Sequence, residues 1–424
     1  MGKELFFMVY IPLDSSRESS VALLREGNTF ISTRCERYDT DIFRARLMLE
    51  KTICLRGEAA ARLFYDEERF TREGAAPGLL VKTLFGVGGV QGLDGEAHQV
   101  RKRMFLELMS DADIDELTRF AAEHWQQAIG GWQRQKQVTL HPAVQLIHFR
   151  AVCRWAGVPI DADEAETRCA DQAAMIDGAG GIAIRHWQAR RARKRSETWM
   201  AELVEQVRSN RIQVDEDRAL FRVSWHRDAQ GELLTPQVAA VEMLNLLRPT
   251  VAIARFVAFA ALALHEHPTW YETLRDNDTW LEPFVQEVRR VYGFFPFLAA
   301  RVRDDFEWNG YHFSKGRRVM LDLYGTNRDP RSWERPEAFR PERFEQESIN
   351  AYNFLPQGGG DHAVNHRCPG EWFTIALMKE AVRQLTRHMT YSVPPQDLSV
   401  DWSRLPIIPE SRFIIESVRP VIPA

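Results

Sequence analysis

The stretch that most limits how this chain can fold is residues 236–266, PQVAAVEMLNLLRPTVAIARFVAFAALALHE. It reads as one long helix, with Thr235 before it and Pro236 in its first turn. A helix apolar on every side belongs in the centre of a large protein or in a membrane. Arg248 and Arg255 interrupt it, and no run of 18 uncharged apolar residues occurs anywhere, which argues for the protein core. Arg248 and Pro249 pose a problem inside such a core. A proline within a helix costs roughly 3 kcal/mol, and a buried guanidinium is costly without a partner.

Helical patterning dominates the rest of the chain. Apolar residues recur at three- and four-residue spacing over 96–109, 113–130, 142–155, 162–178, 183–209, 268–276 and 280–291. Asp111 is a candidate helix start. Strand-like segments are short. FISTRCERY (30–38) and DIFRARLMLEKTICLRG (41–57) alternate and end at Gly57, which suggests a hairpin. Residues 306–324 carry Asn309-Gly310 as a turn signal, and YSVP with RFIIESVRPV forms a terminal pair. The expected class is mainly α with a small β portion, as a single domain over residues 1–424, since neither a repeat nor a low-complexity linker divides it.

An apolar content of 45% with 27% charge suits a globular enzyme with an enclosed pocket. The net charge of −4 gives no electrostatic reason to expect nucleic acid or an anionic membrane as partner. The basic run RHWQARRARKR (185–195) reads as the solvated face of a helix. Five scattered cysteines without a CxxC argue against a disulfide framework or structural zinc. The opening MGKELFFMVYIPLDSS has no apolar region of signal length followed by a small-residue cleavage site. A soluble, cytoplasmic protein is expected.

Residues 352–385 concentrate the chemistry. Gly358, Gly359 and Gly360 permit a tightly bent loop, and Cys368 precedes Pro369-Gly370 and an amphipathic helix. A cysteine just before a helix N-terminus has its thiolate favoured there, as a metal ligand or a nucleophile. A buried free cysteine is the plainer alternative.

The segment NFLPQGGGDHAVNHRCPGEW resembles the cysteine-ligand loop of cytochromes P450. Glu287 and Arg290 in QEVRR are similar to the family's Glu-x-x-Arg helix, and Arg343 in FRPERF to the arginine that locks that pair. The resemblance spans the whole chain. It implies the cytochrome P450 fold, haem b with Cys368 as axial thiolate and metal ligand, and a Glu287–Arg290–Arg343 network bracing the ligand loop. It further implies that His98, Lys102, Arg301 and His366 lie on the propionate side of the haem.

The chain departs from ordinary P450s at two places. The acid–alcohol pair that relays protons in the helix over the haem is replaced by Arg248-Pro249, and DHAVN lengthens the cysteine loop. Both departures resemble the fatty-acid peroxygenases, which use hydrogen peroxide and need no redox partner. That likeness implies a long- or medium-chain fatty acid whose carboxylate is clamped by Arg248, an arrangement a guanidinium fork suits. The carboxylate then accepts a proton from the peroxide and returns it to the leaving oxygen. Only the carbons next to the carboxylate come within reach, so the product is the 2-hydroxy acid, with 3-hydroxylation as a lesser outcome. Pro249 is expected to bend the helix to admit the carboxylate. Gln91 matches the position above the haem where decarboxylating relatives carry histidine, and points to hydroxylation. Phe85, Phe294 and Phe297 match positions lining the family's acyl channel, and the glycine-rich DGAGGIAI (177–184) could let an acyl chain pass. Alternatives are terminal-alkene formation by decarboxylation, reductase-dependent oxygenation, and a haem-based binding protein without turnover.

Overall fold

The computed structural model of the protein describes residues 10–180 and 184–421. Residues 181–183 of the glycine-rich run therefore lie outside the description. Eleven helices frame the functional region: α1 (Phe30–Tyr38), α2 (Gly95–Glu107), α3 (Asp111–Trp132), α4 (Leu140–Ala156), α5 (Ala162–Asp177), α6 (Ile184–Arg208), α7 (Pro236–Ala252), α8 (Ala254–Glu266), α9 (Pro268–Asp276), α10 (Leu281–Val291) and α11 (Glu371–Arg383). The class is mainly α with a small β portion, as the patterning predicts.

A five-stranded sheet carries the order β1 (Ile42–Leu47), β2 (Glu50–Leu55), β8 (Arg318–Asp322), β5 (Phe297–Val302), β3 (Phe70–Thr71), with only the β2–β8 pair parallel. A second sheet runs β4 (Gln137–Thr139), β10 (Ile414–Pro420), β9 (Met389–Ser392). Strands β6 (Phe306–Trp308) and β7 (Tyr311–Phe313) form a hairpin whose turn is Asn309-Gly310, both with positive φ, 51° and 76°.

The large core is built around α7 and α8, which together cover the strongly apolar stretch 236–266. Of its most apolar window 89% is buried, so length and hydropathy mark a core helix here. Thr235 caps it, its hydroxyl accepting from the Val238 N–H, with Pro236 in the first turn. Helix α3 starts at Asp111 as expected, with Ser110 as its cap in a reciprocal box with Asp113.

Three expectations are corrected. FISTRCERY is not a strand but α1: Phe30, Ile31, Arg34 and Cys35 share a helical face and are all buried. The single helix 236–266 is two helices abutting at Ile253, whose N–H bonds to the Thr250 carbonyl three residues back instead of four. The irregularity thus falls after Pro249, not at it, and helical backbone continues from Pro249 to Ala252. Proline deprives the Asn245 carbonyl of its usual donor, and next to it the Thr250 hydroxyl donates to the Leu246 carbonyl at 2.9 Å, a contact that tends to bend helices. The third correction concerns the basic run: most of it is exposed, but Arg193 is only 3% exposed.

Candidate active site

The loop before α11 turns on glycines. Gly358 and Gly360 take φ of 89° and 77°, and a Cβ on Gly359 would collide with the Ala351 carbonyl and the Leu355 side chain. Cys368 is thereby held with its N–H on the Gln357 carbonyl at 3.1 Å, while Gln357 Nε2 lies 3.6 Å from its Sγ. Arg289 Nη2 donates to Gln357 Oε1 (2.9 Å) and to Glu371 Oε1 (2.5 Å), and Glu371 Oε2 accepts from Arg367 Nε at 2.6 Å. Gln357, Arg289 and Glu371 escape the sequence reading, although Arg289 adjoins Arg290 and Glu371 opens the helix. Burial pushes the Cys368 thiol up, with Glu371 adding to it; the Gly370 N–H, Arg289 and Lys102 pull the other way. Desolvation therefore outweighs the helix start at this cysteine, and a coordinated cation is what would displace its proton.

Behind this loop the structure brings Glu287, Arg290 and Arg343 together, all fully buried. Arg290 grips both oxygens of Glu287 at 2.7 and 2.8 Å, and Arg343 Nε lies 3.3 Å from Oε1. Arg343 also donates to the Glu334 carbonyl at 2.9 Å and pairs with Glu347 at 2.7 Å.

A basic pocket adjoins the loop on its other side. The His98 and His366 rings stack at 3.8 Å, and His366 Nε2 is 3.6 Å from Asp94. Burial, then His366 and Lys102, push His98 down to about 3. Lys102 donates to the carbonyls of Asn365 and Arg367 and is pushed down to about 8 by burial, with Cys368 opposing. Arg301 does not join this group: its donors go to Glu50 and to the carbonyls of Gly74 and Gly316. Arg72 takes the place expected of it, with Nη1 buried and without a partner among the described residues and the side chain lying over the Phe64 and Tyr65 rings. The Tyr65 hydroxyl accepts from the Gly359 N–H at 2.7 Å, which leaves its own proton to give. An orphaned buried guanidinium nitrogen, a phenol donor and a histidine pair beside a loop cysteine fit a haem, with Cys368 as ligand and these groups for its propionates.

Helix α7 carries Arg248 and Pro249 and meets α2 through the Arg101–Glu242 pair. Its residues 241–248 and 250–251 are buried, yet Pro249 is exposed and Ala252 half-buried, so the face that Asn245 shares with them opens only at Pro249 and Ala252. Arg248 beside it is 4% exposed. Its Nη2 donates to Asn245 Oδ1 at 2.9 Å and its Nη1 to the Leu84 carbonyl. Arg193 reaches the same carbonyl at 2.9 Å, from the run read as solvated. Among the described residues no carboxylate lies within ion-pair distance of Arg248. Burial, then Arg193, push its pKa well below the usual arginine value, opposed by Glu242. Gln91 is half-buried and its Oε1 faces Asn245 Nδ2 at 3.4 Å.

Phe85 follows Leu84 and is half-buried, its carbonyl 3.4 Å from Arg193 Nη2. Phe294 packs on Phe256 of α8 and Phe295. Phe297 leans on the smaller core around Phe30, Phe43 and Met320. A separate cleft of about 550 Å³ is lined by Pro142, Cys169, Asp177, Arg185, Arg404 and Arg412 and shares none of the residues of this site.

Residues 260–409 match the family model described as cytochrome P450. Cytochrome P450 71D7 of Solanum chacoense is 31% identical over 167 residues, 37% of this chain and 33% of that protein, so the chain matches about a third of the length of this curated relative. Solved structures match end to end. A variant of cytochrome P450SP alpha (CYP152B1) superposes with a TM-score of 0.94 at 45% identity over 96% of this chain and 100% of its own. Cytochrome P450EX alpha (CYP152N1) with myristic acid gives 0.94 at 43% identity, covering 97% and 100%. An OleT variant in complex with arachidonic acid gives 0.95 at 31% identity, covering 98% and 100%.

Proposed function

The chain belongs to the cytochrome P450 family, and from that premise we propose that it is a single-domain fatty-acid peroxygenase that uses hydrogen peroxide to hydroxylate its substrate at C2. The observation that carries this reading is Arg248, a buried guanidinium with no carboxylate within ion-pair distance among the described residues, on a largely apolar helix. Such a group is stabilised when an anion arrives, and its planar fork suits a carboxylate. The relatives crystallised with myristic and arachidonic acids support an acyl chain as the rest of the ligand.

When bound at Cys368, haem supplies the oxidising chemistry. The chain's own residues bind and orient. Arg248 keeps Asn245 as a fixed partner and turns its remaining donors to the incoming carboxylate. Held there, the carboxylate is the group that accepts a proton from hydrogen peroxide and returns it to the oxygen that leaves as water. Clamping the head group also restricts which carbons approach the reacting oxygen, which favours C2 over C3. Gln91 offers an amide that cannot exchange a proton near neutral pH, which favours hydroxylation over loss of the carboxylate. His98, Lys102, His366, Tyr65 and Arg72 would hold the propionates, and Glu287, Arg290 and Arg343 would brace the thiolate loop.

The test is incubation of purified enzyme with a saturated fatty-acid series and peroxide alone, with products read by mass spectrometry. The 2-hydroxy acid is expected without any electron donor. Arg248→Ala is expected to keep its haem and lose turnover at least ~100-fold. Undiminished turnover in that variant sinks the clamp.

A further inference from the structure

One acidic side chain in this region touches neither the cysteine loop nor the groups proposed for the propionates. Glu242 of α7 is fully buried. On one side its Oε1 accepts from Arg101 Nη1 of α2 at 2.5 Å, and on the other its Oε2 accepts from Asn245 Nδ2 at 2.8 Å. Asn245 passes the contact on. Its Oδ1 accepts from Arg248 Nη2 at 2.9 Å, and its Nδ2 lies 3.4 Å from Gln91 Oε1. The junction is tight: a Cβ on Gly89 would stand 3.0 Å from Gln91 Oε1 and 3.2 Å from Asn245 Nδ2.

The chemistry of the ends fixes the middle. A carboxylate only accepts hydrogen bonds and a guanidinium only donates them. An amide bridging the two can stand only one way round, NH₂ toward Glu242 and oxygen toward Arg248. The second hydrogen of that NH₂ then needs an acceptor, so Gln91 gives its oxygen to Asn245 and keeps its own NH₂ for the site. Charge-assisted bonds at both ends make this order far stronger than a chain of neutral amides.

We propose that Glu242, paired with Arg101, is a positioning residue that sets the orientation of Asn245, Gln91 and Arg248 for the substrate carboxylate. This rests on the fatty-acid reading and supplies the origin of its geometry. It is tested on the holoenzyme with three proteins: the natural chain, Glu242→Gln, and Arg101→Gln combined with Glu242→Gln. Calorimetry measures dodecanoate binding, and peroxide-driven turnover separates KM from kcat. Glu242→Gln is expected to weaken dodecanoate binding ~10-fold and raise KM in step. A glutamine at 242 can present either end to Asn245, so the double variant, which leaves no unpaired buried charge, is expected to regain thermal stability but not affinity. A double variant that binds and turns over like the natural chain overturns the proposal and assigns Glu242 a purely structural part. If Glu242→Gln loses its haem, the double variant alone decides between these outcomes. Should the natural chain itself bind no dodecanoate, the fatty-acid reading fails and takes this one with it.

Discussion

A glutamine amide donates and accepts hydrogen bonds without giving up a proton near neutral pH, whereas an imidazole exchanges one there. At position 91 that difference stands next to Asn245 and, through it, next to the proposed carboxylate clamp. Gln91→His is therefore expected to raise the share of terminal alkene at the expense of the 2-hydroxy acid, measured as a product ratio by gas chromatography. An unchanged ratio would show that residue 91 does not steer the outcome. At this scale the sequence is most readable where a residue type is out of place, as with Arg248 in an apolar helix. It is least readable where a residue is ordinary for its surroundings in the chain. Glu242 and Asn245 sit in a helix that tolerates both types, and only the fold brings Arg101 and Gln91 to them. Arg193 was hidden in the same way, among exposed basic neighbours in α6.

Short motifs with fixed local spacing carried over into the elements that hold the site. Glu287 and Arg290 lie one turn apart on α10, and Arg343 closes on them from a distant segment. Glu287→Gln would leave two buried guanidinium groups against a neutral amide, a loss of about 3–5 kcal/mol. Urea denaturation and the ratio of haem to protein should both fall, and no change in either would remove the network from the support of the cysteine loop. Short elements are hard to assign where periodicity is ambiguous. FISTRCERY alternates well enough for a strand, and its burial as α1 is settled by packing against β1 and β8 through Phe43 and Met320. A proline is visible in sequence and points to a bend at Pro249 in one continuous helix, whereas the chain divides into α7 and α8 at Ile253. The i-to-i−3 bond at Ile253 has no such marker. Arg301 was expected at the haem, but β5 carries it beside Glu50, which claims it.

The whole molecule carries several histidines in places too dry for charge. Burial pushes His148 down to about 4, against the pull of the Thr250 carbonyl it faces, and His141 well below its usual value, with Arg255, Arg412 and Arg404 adding to burial. A lowered pKa in the folded state means that the unfolded chain takes up the proton first. Stability is thus fully present above about pH 6.5 and lost as the pH falls toward 4, by about 3 kcal/mol for His148 alone. Asp322, pushed up to about 6 by burial, works in the opposite sense, losing stability as the pH rises through 6. With the histidines in the majority, the thermal midpoint is expected to drop on acidification, and His148→Leu to flatten that drop. A midpoint rising between pH 6 and 4 would contradict the balance. Arg248 has a consequence at this scale as well. A fold that closes around a cation with no anion is at its weakest when substrate is scarce, and a ligand that binds only the folded form at a hundredfold excess over its Kd adds about 2.7 kcal/mol. Dodecanoic acid should raise the thermal midpoint, and the alcohol of equal length should do so far less. The lifetime of the folded protein would then rise and fall with the supply of the acids proposed as its substrates.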